Sequence, residues 1–189
     1  MVARGTYGPL LFFERDDQIL VAQHHWDLAL ADEPRAIPGG PFMPGYTATE
    51  GEDGEVVVAA LELSEPPRLA LITLDGSGNR VRLQEIDGPS AAARDLVVTP
   101  EESSVAVAWL DQLPGDLPGQ QRVLMAAASR ADLSMELGPQ PLGEPFPTAD
   151  RNVLAATPHR SGHTFLWAAP DSARGNGLWG AVVECQRAR

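Results

Sequence analysis

His159 and His163 are separated by three intervening residues, the H-x3-H spacing that places two imidazoles on one helical face to hold a metal. Here they flank the segment Arg160-Ser161-Gly162, which reads as a turn between two strands. Across a hairpin the two rings could still face one another, but no nearby Cys or third His completes a zinc set. We therefore read the pair chiefly as turn decoration, and only secondarily as metal ligands. A second cluster, His24-His25-Trp26-Asp27, stands at the exit of an apolar run. Strand alternation sends its two imidazoles to opposite faces, so one at most can join a common site. A His–Asp general base would also need a nucleophile, and the chain has no G-x-S-x-G elbow to present one.

Carboxylates occur in pairs at Asp16/Asp17 and Glu101/Glu102, both in polar turn segments where solvation opposes the tuning that acid–base work requires. There is no P-loop, no G-x-G-x-x-G, no H-E-x-x-H and no EF-hand loop, and the sequence implies no cofactor. Cys185 is the single cysteine, so no intrachain disulfide and no cysteine zinc cluster can form, and its apolar surroundings suit a small core residue.

These residues must be positioned by strands. The 18 Gly and 17 Pro cut the chain into short apolar runs, of a length that suits strands rather than helices. The clearest are 55–63, 68–74, 104–110, 122–129, 163–169 and 177–186. Most are too continuously apolar for a strand with one wet face, so both faces of their sheets should be covered. Between them, "RDD" (15–17), "EDG" (52–54) and "DGSG" (75–78) supply residues that tolerate positive φ or cap their own backbone. "PSAAARDL" (89–96) could form one helical turn at most.

Residues 96–109, "LVVTPEESSVAVAW", and 154–167, "LAATPHRSGHTFLW", match at Leu96/Leu154, Thr99/Thr157, Pro100/Pro158, Ser103/Ser161 and Trp109/Trp167. Two degenerate copies precede them at 10–23 and 47–61, and loops of variable length account for the uneven spacing. The matched Trp109 and Trp167 are expected in the core, whereas His159 and His163 are additions peculiar to one copy.

Each copy continues into a third apolar strand and usually a weaker fourth. Together with "LDGSGNRV" (74–81) and "ASRADLSMELGPQPLGEPF" (128–146), this pattern resembles bacterial β-propeller-type repeat proteins. The WD dipeptide and the sialidase Asp box are absent. The resemblance implies an all-β, propeller-like ring of about four antiparallel four-stranded blades, with a β-sandwich or irregular barrel as the alternative. The repeat units fall at about residues 8–45, 46–90, 91–146 and 147–189 of one repeat domain. The last unit stops after its third strand, and residues 2–7 are expected to supply a strand to it.

Composition bounds the function. Twenty-six acidic against 14 basic residues give a net charge of −12, and every basic residue is Arg. Such a surface repels nucleic acid and anionic membranes, and no apolar stretch is long enough to span a bilayer. The N-terminal apolar stretch is also too short for a secretory signal, so a cytoplasmic location is expected. Without a catalytic constellation the leading reading is a protein-binding scaffold, for example an acidic protein that neutralises a basic partner such as a toxin. Its contact residues would be His24, Trp26, Asp116 in the loop 111–121, Arg174 in the loop 170–176, and Trp179; self-association is a further expectation. The alternative is a carbohydrate-active hydrolase or lyase with an axial pocket.

Overall fold

A computed structural model describes residues 2–4, 8–27, 29–51, 54–148, 154–159, 162–171 and 175–184. Every regular element among them is a β-strand, and none is a helix able to cross a membrane. The chain divides into two compact units, Met1–Gly88 and Pro89–Arg189.

In the first unit, β1 (Val2–Arg4), β2 (Pro9–Arg15), β3 (Gln18–Gln23) and β4 (Arg35–Ala36) form one antiparallel meander. A second follows from β5 (Phe42–Glu50), β6 (Val56–Glu62), β7 (Arg68–Leu74) and β8 (Arg80–Asp87). In the second unit, β9 (Arg94–Pro100), β10 (Ser104–Asp111), β11 (Gln120–Ser129) and β12 (Met135–Pro141) form a third meander, with the short β13 (Phe146–Pro147) also paired to β11. The fourth sheet is β14 (Leu154–His159), β15 (Gly162–Asp171) and β16 (Gly175–Glu184). The expected all-β class and the strand runs are therefore present, and "PSAAARDL" makes a single turn closed by Ala93 N donating to Ser90 O at 3.0 Å.

Turn chemistry explains why neighbouring strands pair. Asp16 and Asp17 have φ of 51° and 57°, the paired left-handed conformation that a two-residue hairpin needs to match strand twist. At the next such connection Asp75 Oδ1 accepts from Ser77 N and Asn79 N, both at 2.9 Å, and Gly78 takes φ 77°. Partial burial is the largest single influence and pushes the Asp75 carboxyl up, but the hydrogen bonds together outweigh it and hold the group below the usual carboxylate range.

The repeated motif is a repeated register. Pro100 pairs with Val105 and Thr99 with Ala106 in one hairpin, and Pro158 pairs with His163 and Thr157 with Thr164 in the other. One expectation is overturned: Val2–Arg4 does not serve the last sheet but pairs with β2, Ala3 opposite Leu10. Only four residues separate Arg4 from Pro9, so the local pairing has a far smaller loop-closure cost than a distant one.

Within each unit two sheets pack face to face, the sandwich arrangement rather than a closed barrel. Leu10, Phe12, Ile19 and Val21 of the first sheet share a core with Val56, Val58, Ala60 and Ile72 of the second. Ala106, Ala108, Leu110 and Met125 of the third share another with Phe165, Trp167 and Ala169 of the fourth. The intervening residues of the second and third sheets, Val57, Ala59 and Leu61 on β6 and Val105, Val107 and Trp109 on β10, are buried too, so both faces of each are covered. Trp109 finds a partner for its indole in Asp111, to whose Oδ2 it donates at 3.1 Å. The same carboxylate accepts from Ser90 N and Gln112 N at 2.8 and 2.7 Å, and from the Ser90 hydroxyl, so its burial leaves no lone charge.

Gly162 makes the close entry to the fourth sheet possible. A Cβ there would lie 1.9 Å from Val183 O and 2.9 Å from Glu184 Cα. Gly162→Ala is therefore expected to destabilise the chain by about 1–3 kcal/mol, while Gly138→Ala, where a Cβ meets nothing within 4 Å, should be near neutral; urea denaturation of the two variants checks this.

Candidate functional site

The histidine added by the last repeat copy is turned inward. Pairing of His159 with Gly162 and of Pro158 with His163 puts the two histidines on opposite faces of the hairpin, so they cannot share a metal. His159 is exposed, whereas His163 is fully buried and packs on Phe165 with ring centroids 6.4 Å apart. Its Nε2 lies 2.8 Å from Oγ of Ser104 at the start of β10, which ties the fourth sheet to the third. No group of three or more metal-ligating side chains occurs among the described residues.

A Ser–His contact could signal nucleophilic catalysis, but here burial decides otherwise. Ser104 is 1% and His163 0% exposed, so no substrate reaches the hydroxyl. Nδ1 of His163 has no hydrogen-bond partner among the described residues. The tautomer with Nε2–H donating to Ser104 Oγ leaves only a lone pair orphaned at Nδ1, a smaller defect than a buried, unpaired N–H. In that tautomer the imidazole cannot take the serine proton. Burial brings the His163 pKa from 6.5 down to about 4, overcoming the opposing pull of Glu101, so the ring is neutral at pH 7.

An accessible site is found elsewhere on the second unit. A pocket of about 730 Å³ is bounded by the segment 142–147, by Trp167 and Pro170 on β15, and by Trp179 and Gly180 on β16. Trp167 and Trp179 are directly opposed in register, on the same face of the sheet. Their environments differ: Trp167 is 7% exposed and belongs to the core, while Trp179 is 50% exposed at the pocket wall. Gly143 leaves room for the Trp167 ring, whose Cζ2 would be 3.6 Å from a Cβ at that position. Among the described residues Glu144 is the only carboxylate of the lining, and it is itself exposed. Aromatic walls, prolines and one acceptor suit a ligand that offers a flat apolar face and hydroxyl donors.

Of the other sequence-derived contact residues, Trp26 is 62% exposed in a turn and His24 is half-buried, its backbone N donating to Pro9 O at 3.0 Å. Both lie in the first unit and contribute nothing to the pocket. Asp116, expected as a contact residue, makes an ion pair within its own unit. Its side chain is fully buried in a bidentate pair with Arg122, Nε and Nη2 reaching Oδ1 at 2.8 and 2.5 Å, while Oδ2 accepts from Leu113 N at 3.0 Å. The Arg122 guanidinium holds the Asp116 carboxyl below the usual carboxylate range, and the pair closes the loop that carries Asp116. Arg160, Arg174 and Cys185 lie outside the described residues. The segment 142–147 was missed as a pocket wall; Trp179 was the one signal that pointed there.

No protein-family model and no curated protein matches the chain. Among solved structures, an endo-arabinase from Bacteroides thetaiotaomicron is 11% identical with a TM-score of 0.51, covering 98% of this chain and 74% of that one. An apocarotenoid oxygenase variant from Synechocystis is 14% identical with a TM-score of 0.50, covering 97% and 45%, so the chain spans less than half of that protein. An endo-1,4-beta-xylanase from Bacteroides thetaiotaomicron is 10% identical with a TM-score of 0.48, covering 97% and 78%. The likeness is one of all-β fold.

The Ser104–His163 contact yields two expectations. Ser104→Ala should cost about 1–3 kcal/mol by stranding the buried imidazole, and adding His163→Phe should recover most of that loss. His163 also protonates more readily unfolded than folded, so its contribution is complete above pH 6.5 and is lost as pH falls from 6.5 towards about 4. The wild type should therefore lose more stability than His163→Phe over that interval, by up to about 3 kcal/mol; denaturant melts at stepped pH values measure the difference.

Proposed function

We propose that this chain is a carbohydrate-binding module whose ligand stacks on Trp179 in the pocket at β15 and β16. The observation that carries the reading is the half-exposed indole of Trp179 set opposite Trp167 in a pocket that the Glu144 carboxylate also lines. A sugar ring has one face made of C–H groups, which suits an indole surface, and hydroxyls at its edge, which suit Glu144. The endo-arabinase of similar fold makes arabinan a sensible first probe, with xylan as the second.

Binding is the reading the pocket supports first: glycosidases of the usual kind need two carboxyl groups about 5–9 Å apart, and among the described residues Glu144 is the one carboxylate of the lining. A basic protein partner gains no support from Asp116, whose charge is already matched by Arg122. For the four meanders we propose the propeller-like order, each sheet acting as a blade of one repeat domain, with the sandwich packing of each unit as its local form.

Affinity electrophoresis in gels containing arabinan or xylan tests the binding. The wild type should be retarded in at least one gel, and Trp179→Ala should migrate as in the sugar-free control. A wild type that migrates freely in both would sink the proposal. Release of reducing ends by the wild type, abolished in Glu144→Gln, would instead favour the hydrolase reading.

A further inference from the structure

The segment 142–147 leaves the ladder of the third sheet and returns to it. Leu142 N donates to Val123 O at 2.9 Å, and Phe146 pairs with Gln121. Between these two contacts β11 has one residue, Arg122, while the facing segment has three, Gly143, Glu144 and Pro145. Three residues cannot pair with one, so they arch out of the ladder, and the arch becomes a wall of the pocket that holds Trp179. Glu144 is the middle residue of the arch and is exposed.

The cation beside that arch is already engaged. Val123 belongs to the core that the third sheet shares with the fourth, so alternation turns its neighbour Arg122 to the other side of the third sheet. There Asp116 holds the guanidinium: Nε lies 2.8 and 3.1 Å from the two carboxylate oxygens, and Nη2 lies 2.5 Å from Oδ1. Asp116 acts on Arg122 first, through these hydrogen bonds, and Glu144 acts on it last, through charge alone. Glu144 itself makes no hydrogen bond or ion pair among the described residues, and the described lining of the pocket contains no Arg or His. Of the three charges, the two that pair face away from the pocket, and the one that lines it is the unpaired carboxylate.

From this arrangement we infer that Glu144 sets the charge selectivity of the pocket, which admits neutral sugars and excludes uronic acids. The inference rests on the carbohydrate reading of the pocket and adds the class of sugar to it. A neutral ring donates a hydroxyl to Glu144 while its C–H face lies on Trp179. A uronic acid of the same shape brings a second carboxylate to Glu144, between apolar walls that supply no countercharge. The net charge of −12 also repels an acidic sugar, but it is spread over the chain and is scarcely altered by one substitution. Glu144 acts at the ring itself, so substitution separates the two contributions.

The disaccharide of glucuronic acid and xylose, and the same disaccharide with its carboxyl reduced to an alcohol, form a matched pair of probes for titration followed by tryptophan fluorescence. At low salt the wild type should bind the reduced disaccharide about tenfold more tightly than the acidic one. Salt near 1 M, where the screening length is about 3 Å, should shrink that ratio. Glu144→Gln keeps a carbonyl acceptor and should bring the ratio close to one, chiefly by binding the acidic disaccharide better. Glu136→Gln, at an exposed position on β12 outside the pocket, makes the same change in net charge and should leave the wild-type ratio in place. Equal binding of both disaccharides by the wild type overturns the inference and leaves the carbohydrate reading standing. So does a Glu144→Gln variant that discriminates as Glu136→Gln does. Failure of the carbohydrate reading shows separately, as a wild type that binds neither disaccharide and migrates freely through arabinan and xylan gels, and the inference falls with it.

Discussion

Val57 and Val58 are consecutive in β6, point to opposite sides of their sheet, and expose no surface at all. A strand of this kind can be stable only if both sides of its sheet are covered, because an uncovered side would return its apolar area to water at about 25 cal/mol per Å². The same holds for Val107 and Ala108 in β10. Everything else in the molecule follows from that demand. Sheets must be stacked, a stack must end, and the side chains at its ends must either turn polar or find another surface.

The stacking explains why polar side chains are drawn inward at defined points. Ser104 and His163 lie at the turn end of the interface between the third and fourth sheets, where alternation places them on facing sides. The pair supplies direction at a contact otherwise made of apolar side chains, among them Ala106, Ala108, Leu110, Met125, Phe165 and Trp167, whose attraction is non-directional. Its hydrogen bond is satisfied in one register alone, and slipping by a residue would bury both groups without partners. Asp111, with its donors from Ser90, Gln112 and Trp109, does the same within the third sheet. Such polar contacts specify the packing more than they strengthen it.

Much of this could be read from the residues. The strand runs follow from continuous apolar stretches interrupted by turn formers, and the positive φ of Asp16, Asp17 and Gly78 falls where the turn chemistry required it. The match between 96–109 and 154–167 became a shared register because a hairpin's pairing is fixed by its own turn. Pairings with no local turn to fix them were illegible, and so β1 was assigned to the wrong sheet. Asp116 was named as a contact residue of the loop 111–121 because sequence gives no sign that Arg122, six residues on, folds back on it. His163 stood out as a departure from the repeat, yet its burial depends on Ser104, which is 59 residues away in sequence.

Trp167 and Trp179 show how one sheet can serve both core and site. They are cross-strand neighbours on the same face, yet one is nearly buried and the other half-exposed. The difference arises because the stacked sheet beneath covers Trp167, Phe165 and Ala169, while the neighbouring strand β16 projects Trp179 towards the segment 142–147. That segment carries Pro145 and Pro147 and follows directly on Pro141, and the restricted backbone and missing donors of these prolines limit further strand pairing. An edge that cannot be extended by another strand stays open to a small ligand. A pocket therefore forms where the stack's apolar face outruns the sheet that covers it, and its walls are rigid because they are the core.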